Sequence, residues 1–448
     1  MKTPIVLLLV TLLIFGCKTP ESTSLPSSKN KALDSLALLQ KESYKLPGLA
    51  VGIIKDDKLV YAKGFGVQSL SSKQEVTTTS VFHMASVSKP FTATAIMQLV
   101  EKEKIDLDKP LVAYLPYFTM QDDRYKDITI RQMLNHTSGI ADVEDYEWDN
   151  PQFDADAIEN YSRQFYNDSL DFEPGTSYNY SNPAFNILAD VIAKVSGLTF
   201  EDYMKKHIFE PAGMTNSTFY QPDVPKKLST KPHIFGQTFK VEESSTYPYN
   251  RIHAASSTLQ SNIEDMAKWA QLYLNKGKIN GKQLFNENTY EQLIESQVSI
   301  GGKDSISLGW FSRSLDGYKK YEHNGGDDGY KAHFAFLPEK STAVVVMTNG
   351  DYFPSWISAD FFLKLVLDEK PLQPWVIPIH LKLSEHILAD GVEKTKEIYF
   401  YEKENNPEQY LFMPWCLIEF KYWLLDRNYQ QEAFAIEKFS EELTSMDK

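Results

Sequence analysis

Ala85-Ser86-Val87-Ser88-Lys89-Pro90-Phe91, followed by the amphipathic run Thr92–Lys104, is the stretch from which the rest of the chain is read. The spacing predicts a helix that begins near Ser86, because Pro90 has no N–H to give and is tolerated best in a first turn. Phe91, Ala95, Ile96, Leu99 and Val100 recur at helical spacing and form a stripe for a core. On such a helix Ser86 and Lys89 share one face, one turn apart. A hydroxyl beside an amine that can lose its proton is a nucleophile with its base. Ser86 would also stand at the positive end of the helix dipole, with its N–H free to bind an anion. Ser-x-x-Lys recurs at Ser28/Lys31 and Ser445/Lys448, so residues from elsewhere must decide.

Two further stretches offer them. In Phe172–Asn182 a turn at Pro174-Gly175 leads through Tyr180-Ser181-Asn182 into a helix. A tyrosine near a lysine can exchange a proton with a serine hydroxyl, and Asn182 offers a donor and an acceptor to a substrate amide. The other stretch is Tyr321-Glu322-His323-Asn324-Gly325-Gly326, ahead of a strand at Tyr330. Its glycines let the backbone approach a ligand closely. The N–H of Gly326, with that of Ser86, would form an oxyanion hole for a tetrahedral intermediate. His323 would supply a basic or hydrogen-bonding side chain. The remaining histidines read as structural, and His136 in His136-Thr137-Ser138-Gly139 reads as a cap on a helix end.

Around these motifs, Leu49–Ile54 and Lys58–Lys63 read as a hairpin turning at Lys55-Asp56-Asp57. Residues 105 to about 300 are mostly helical patterns, with an acidic, Asn-rich exposed loop over 141–160. Strand character returns at Leu308–Arg313, Tyr330–Leu337 and Thr342–Thr348, and a helix follows at Ser355–Leu367. The pattern predicts an α/β (α+β) domain over 31–370: one sheet built by both chain ends, flanked by helices, with a helical lobe inserted between them. Residues 376–448 form a small helical appendage. There Leu388-Ala389-Asp390-Gly391-Val392 and Leu425-Asp426-Arg427-Asn428-Tyr429 form a degenerate, tetratricopeptide-like repeat.

Met1-Lys2, the apolar run Ile5–Phe15 and the pair Gly16-Cys17 resemble a bacterial lipoprotein signal over 1–16, with Cys17 lipidated. Residues 17–30 would then be a tether, and acyl chains would hold the protein at the cell envelope. Cys416 is the other cysteine, so an acylated Cys17 leaves no pair for a disulfide; Cys416 reads as a buried, inert thiol. A net charge of −14 disfavours nucleic acid as a partner. No Gly-x-Ser-x-Gly elbow, His-Glu-x-x-His motif or Walker-type loop occurs, so neither a metal nor a cofactor is expected.

Ser86/Lys89, Tyr180/Asn182 and His323/Gly325, in this order and setting, resemble the serine β-lactamase and penicillin-binding family, specifically its class C β-lactamase-like branch. The likeness extends over about residues 31–370, including Ile128–Gly139, Leu308-Gly309-Trp310 and Met347-Thr348-Asn349. It implies a DD-peptidase/β-lactamase-like fold and a serine hydrolase working through an acyl-enzyme. In that scheme Ser86 is acylated, Lys89 activates it and Tyr180 relays the proton. Asn182 orients the substrate amide, and His323, Asn324 and Gly325 line the cleft from an edge strand. Classical β-lactamases carry lysine where His323 stands, and many relatives have paired glycines where Ala254-Ala255-Ser256-Ser257 stand. A mostly neutral histidine, followed by Asp327 and Asp328, favours a peptide, D-amino acid derivative or ester over a carboxylate-bearing β-lactam. The competing expectation is an inactive lipoprotein that holds cell-wall fragments on the same fold.

Overall fold

The computed structural model describes residues 25–143, 145–367 and 374–446; the expected signal segment, Cys17 and tether residues 17–24 lie outside them. Eight strands make the central sheet: Gly48–Lys55 (β1), Lys58–Gly66 (β2), Val298–Gly301 (β3), Asp304–Ile306 (β4), Phe311–Leu315 (β5), Tyr318–Asp327 (β6), Tyr330–Leu337 (β7) and Thr342–Thr348 (β8). Their spatial order is β2-β1-β8-β7-β6-β5-β4-β3, with every neighbouring pair antiparallel. The first hairpin therefore zips onto the last strand, with Val51 opposite Val346. β1 and β8 are buried along nearly their whole length, and so they read in sequence as unbroken apolar runs and not as alternation.

Five long helices flank this sheet or fill the lobe: Ser27–Ser43 (α1), Ser88–Glu101 (α2), Asn182–Ser196 (α3), Ile263–Leu274 (α4) and Ser355–Leu367 (α5). α1 and α5 share one hydrophobic cluster with one face of the sheet. The other face packs on α4 and, through a second cluster, on the lobe that holds α2 and α3. Ser181 caps α3 by accepting from the Ala184 N–H, Pro183 follows in the first turn, and the left-handed Gly197 ends it. The lobe is chain 67–297, inserted between β2 and β3.

Two boundaries differ from expectation. α1 starts at Ser27, inside the stretch read as tether, because Leu25 packs on the α1/α5 cluster and Lys29 Nζ donates to Val366 O at 2.9 Å. Tertiary contact thus extends a helix whose own sequence argues for a later start. The strand expected at Leu308–Arg313 begins only at Phe311. Gly309 is left-handed (φ +75°) and donates to Leu134 O at 3.0 Å, making a turn where the apolar pattern reads as strand.

The C-terminal residues form helices Ile379–Ser384 (α6), Ile387–Asn405 (α7), Pro414–Asp426 (α8) and Gln430–Met446 (α9) around a third core of Leu383, Tyr399, Phe420 and Phe439. α7 breaks at Gly391 (φ +80°), and Asn428 (φ +64°) turns α8 into α9. Both left-handed residues sit three positions after the leucine that opens the repeated pentapeptide. Cys416 is buried here, and burial pushes its thiol up to about 11. The appendage is pinned to the body by Arg427, which donates to Phe235 O at 2.8 Å and Gly236 O at 3.1 Å.

Candidate active site

The turn ahead of α2 fixes the nucleophile candidate. Ala85–Val87 form a single 3-10 turn and α2 begins only at Ser88, so Ser86 lies just outside the α-helix. Ala85 is left-handed (φ +48°), a strained conformation of the kind that persists where the surroundings over-determine it, often at functional sites. Ser86 is the one residue of 81–90 that is not buried. Its N–H donates to no acceptor among the described residues.

Lys89 is fully enclosed. Its Nζ lies 3.0 Å from Ser86 Oγ, 2.6 Å from Asn182 Oδ1 and 2.9 Å from Ser256 O. Burial pushes its ammonium down to about 7, against the opposing pull of the Asp327 and Asp142 carboxylates. The Tyr180 ring centroid stands 4.8 Å from the same nitrogen. Its hydroxyl interacts with Ser86, while burial drives the phenol well above its usual range. Tyr180 therefore stays protonated at neutral pH.

His136 is the platform for Tyr180, stacked on it at 4.3 Å with the planes 28° apart. His136 Nδ1 accepts from the Ser181 N–H at 3.1 Å, and burial lowers its pKa far below the usual value. It is a neutral ring that fixes where Tyr180 and the start of α3 sit.

Asn182 is hydrogen-bonded through both ends of its amide. Its Oδ1 accepts from Lys89, while its Nδ2 donates to Tyr146 OH at 2.6 Å and to the Asp142 carboxylate at 3.1 and 3.2 Å. The Asp142 carboxylate also takes the Asn182 N–H at 2.9 Å. Asn182 thereby links the exposed Asp142 to the buried lysine.

β6 brings the third motif alongside. β5 pairs with β6 only as far as Glu322, so His323–Asp327 form a free edge as expected. A Cβ on Gly325 would lie 2.2 Å from Met84 O; glycine is what lets this edge close on the Ser86 turn. His323 is 1 % exposed, 5.2 Å from the Phe311 ring and 6.4 Å from Tyr180. Burial, and then the charge of Lys89, push it down to about 3. Being neutral and bonded through Nδ1 to Asn324 O at 2.7 Å, it carries its proton on Nδ1 and a bare lone pair on Nε2. Asn324 corrects the expectation that it lines the cleft. Alternation along a strand sends its side chain to the opposite face, where Oδ1 accepts from Ser355 Oγ at 3.1 Å.

The remaining wall comes from residues 254–257. Ser256 gives its carbonyl to Lys89, and Ser257 Oγ lies 2.5 Å from Asp327 Oδ2, which also meets His83 Nε2 at 2.6 Å. Among the described residues no group of three His, Cys, Asp or Glu is placed to hold a metal ion. Ser86, Lys89, Tyr180 and Asn182 thus form one hydrogen-bonded cluster roofed by Gly325.

Residues 33–368 match the family model described as Beta-lactamase. The chain belongs to this family. Protein flp of Staphylococcus aureus (strain MW2) is 24% identical over 337 residues, 74% of this chain and 66% of that protein's length. PbpX of Bacillus subtilis is 29% identical over 66% of this chain and 69% of its own. Among solved structures, the octameric penicillin-binding protein homologue from Pyrococcus abyssi superposes with a TM-score of 0.69 at 27% identity, covering 76% of this chain and 78% of that one. The penicillin binding protein from Bacillus halodurans gives 0.61 at 24% identity over 75% and 99%, a likeness of fold. The large antiparallel sheet with its helical lobe is the β-lactamase and penicillin-binding protein fold.

Proposed function

We propose that this protein is a serine hydrolase that works through an acyl-enzyme on an amide, peptide or ester. The observation that carries the reading is Lys89: a wholly buried amine 3.0 Å from Ser86 Oγ, with its pKa brought to about 7. At neutral pH a large share of it is unprotonated, so it can take the Ser86 proton as the hydroxyl attacks a carbonyl. Tyr180, held protonated, suits the complementary step. It gives a proton to the leaving group, is restored from Lys89, and takes part again when water attacks the ester. This assigns the base to Lys89 and the relay to Tyr180. The N–H groups of Ser86 and Gly326 receive the oxyanion.

The reading extends to substrate. A neutral His323 with a bare Nε2 offers a carboxylate no positive charge, and Asp142 and Asp327 add negative charge around the cluster. Peptide, D-amino acid derivative or ester is therefore favoured over β-lactam, as in a class C-like esterase or peptidase. Our reading also puts the protein at the cell envelope, anchored through Cys17. The test is a panel of chromogenic cephalosporin, D-Ala-D-Ala peptide, D-amino acid amide and short-chain ester, each run against Ser86→Ala. Turnover of one of the last three, lost in the variant, is the expected result. Cephalosporin hydrolysis near the diffusional ceiling of ~10⁸ M⁻¹s⁻¹ would contradict the substrate assignment. No turnover of any would favour a protein that holds cell-wall fragments without cleaving them.

A further inference from the structure

We infer that the seam between the hydrolase body and the C-terminal helices is a binding site for a saccharide, on the face of β6 opposite the catalytic cleft. A cavity of about 380 Å³ lies there, within the range of small-molecule sites. Body and appendage each contribute a tryptophan, Trp356 of α5 and Trp415 of α8, and these stay 44 % and 42 % exposed although they line one hollow. Large rings left open in this way mark a recognition surface.

The polar lining decides which ligand. His380, 4 % exposed, lines the hollow, and its buried Nδ1 has no hydrogen-bond partner among the described residues. Burial, with no charged neighbour, holds it neutral, with a pKa of about 3. A polar atom shut in without a partner is costly unless a ligand meets it. Asn324 spends its Oδ1 on Ser355, leaving its amide N–H₂ for the hollow. Lys331 and Arg427, with Asp351, Glu419 and Asp426, bring charges of both signs to the same lining. A cation would meet the two basic side chains and an anion the three carboxylates, while a purely apolar guest would strand the His380 nitrogen. A ring with an apolar face and a rim of hydroxyl and amide groups satisfies all of them: its face lies on the tryptophans, and its edge gives and takes hydrogen bonds. This site stands apart from the Ser86 chemistry and does not rest on it.

The inference is tested by tryptophan fluorescence of the full chain carrying Ser86→Ala, titrated with an N-acetylglucosamine trisaccharide. Saturable quenching is expected, weakened about tenfold or more by Trp356→Ala and by Trp415→Ala, as for aromatic anchors of an interface. Asn324→Ala, at an exposed side chain, is a second variant that does not disturb the core and is expected to weaken binding while circular dichroism stays unchanged. No saturable change up to ~10 mM sugar, a concentration that fills most of any site with a Kd of ~1 mM or tighter, would overturn the assignment. So would quenching that survives all three substitutions, or equal binding of choline as a simple cation.

Discussion

A lysine enclosed on every side loses the water that stabilises its charge, and at position 89 nothing fully replaces it. Ser86 Oγ, Asn182 Oδ1 and Ser256 O accept from the ammonium, yet burial still pushes its pKa to about 7. If the unprotonated amine is the base, kcat/KM rises with pH through a single step near 7. It then holds its plateau, because Tyr180 titrates well above 10. Asp142 opposes the shift: its negative charge favours the ammonium. Asp142→Asn removes that charge, lowers the Lys89 pKa further, and is expected to move the rising limb to lower pH. A limb that stays in place or moves upward would mean that Lys89 is not the titrating base. The charged and titratable neighbours of Lys89 are Asp327, Asp142, His136, His253, His323 and Tyr180. All three histidines are already neutral at pH 7, which leaves the two carboxylates to set the position of the limb.

At the scale of elements, what was legible depended on whether the signal was local. The Ser86 turn, the α2 stripe, the first hairpin and the Tyr180–Asn182 entry into α3 are written in neighbouring residues, and their side chains do meet. The partners of that cluster are not. Asp142 reaches Asn182 across 40 residues, and Ser256 O reaches Lys89 across 167. Within its own loop Asp142 is one acid among many. Asn324 is the opposite case: strand alternation, had the motif been read as the interior of β6, would have sent it to the far face. That face also holds Glu322, 3 % exposed, with Lys320 Nζ at 2.6 Å and an Arg313 guanidinium nitrogen at 3.1 Å. Burial raises the Glu322 carboxyl, but its neighbours His333 and Lys320 more than offset this and hold it far below the usual carboxylate range. A depressed carboxyl stabilises the fold fully above pH ~4.3 and progressively less as pH falls. Glu322→Gln is expected to cost about 3 kcal/mol at pH 7 by urea unfolding, the lower end for breaking a buried pair because Lys320 keeps Asp360 at 2.5 Å. The difference from wild type should narrow at pH 3. A constant difference would assign the loss to packing and not to charge.

For the whole molecule, one β-lactamase-family body is joined to a helical appendage along a seam next to the motif strand. Both chain ends of the body enter the same sheet, which is why its fold could be read from a hairpin and a pair of late strands 250 residues or more apart, as with Val51 and Val346. The docking of the appendage could not be read, since it rests on main-chain carbonyls accepting from Arg427, on the Lys45–Glu385 ion pair and on Phe235 against Trp423, partners far apart in the chain that no local pattern joins. If Cys17 anchors the chain, Cys17→Ser is expected to move the protein from the membrane to the soluble fraction with hydrolysis of a soluble ester unchanged. Retention on membranes would assign attachment to another part of the molecule.

The central claim, that Ser86 is a nucleophile activated by Lys89, is tested most directly by mass. The folded protein is incubated with a fluorophosphonate and, separately, with a labelled penicillin, then digested and mapped. The expected result is a single adduct from the fluorophosphonate on the peptide that carries Ser86, absent from Ser86→Ala and strongly slowed in Lys89→Ala. A folded sample that gains no mass from either reagent, or gains it on another residue, would contradict the account.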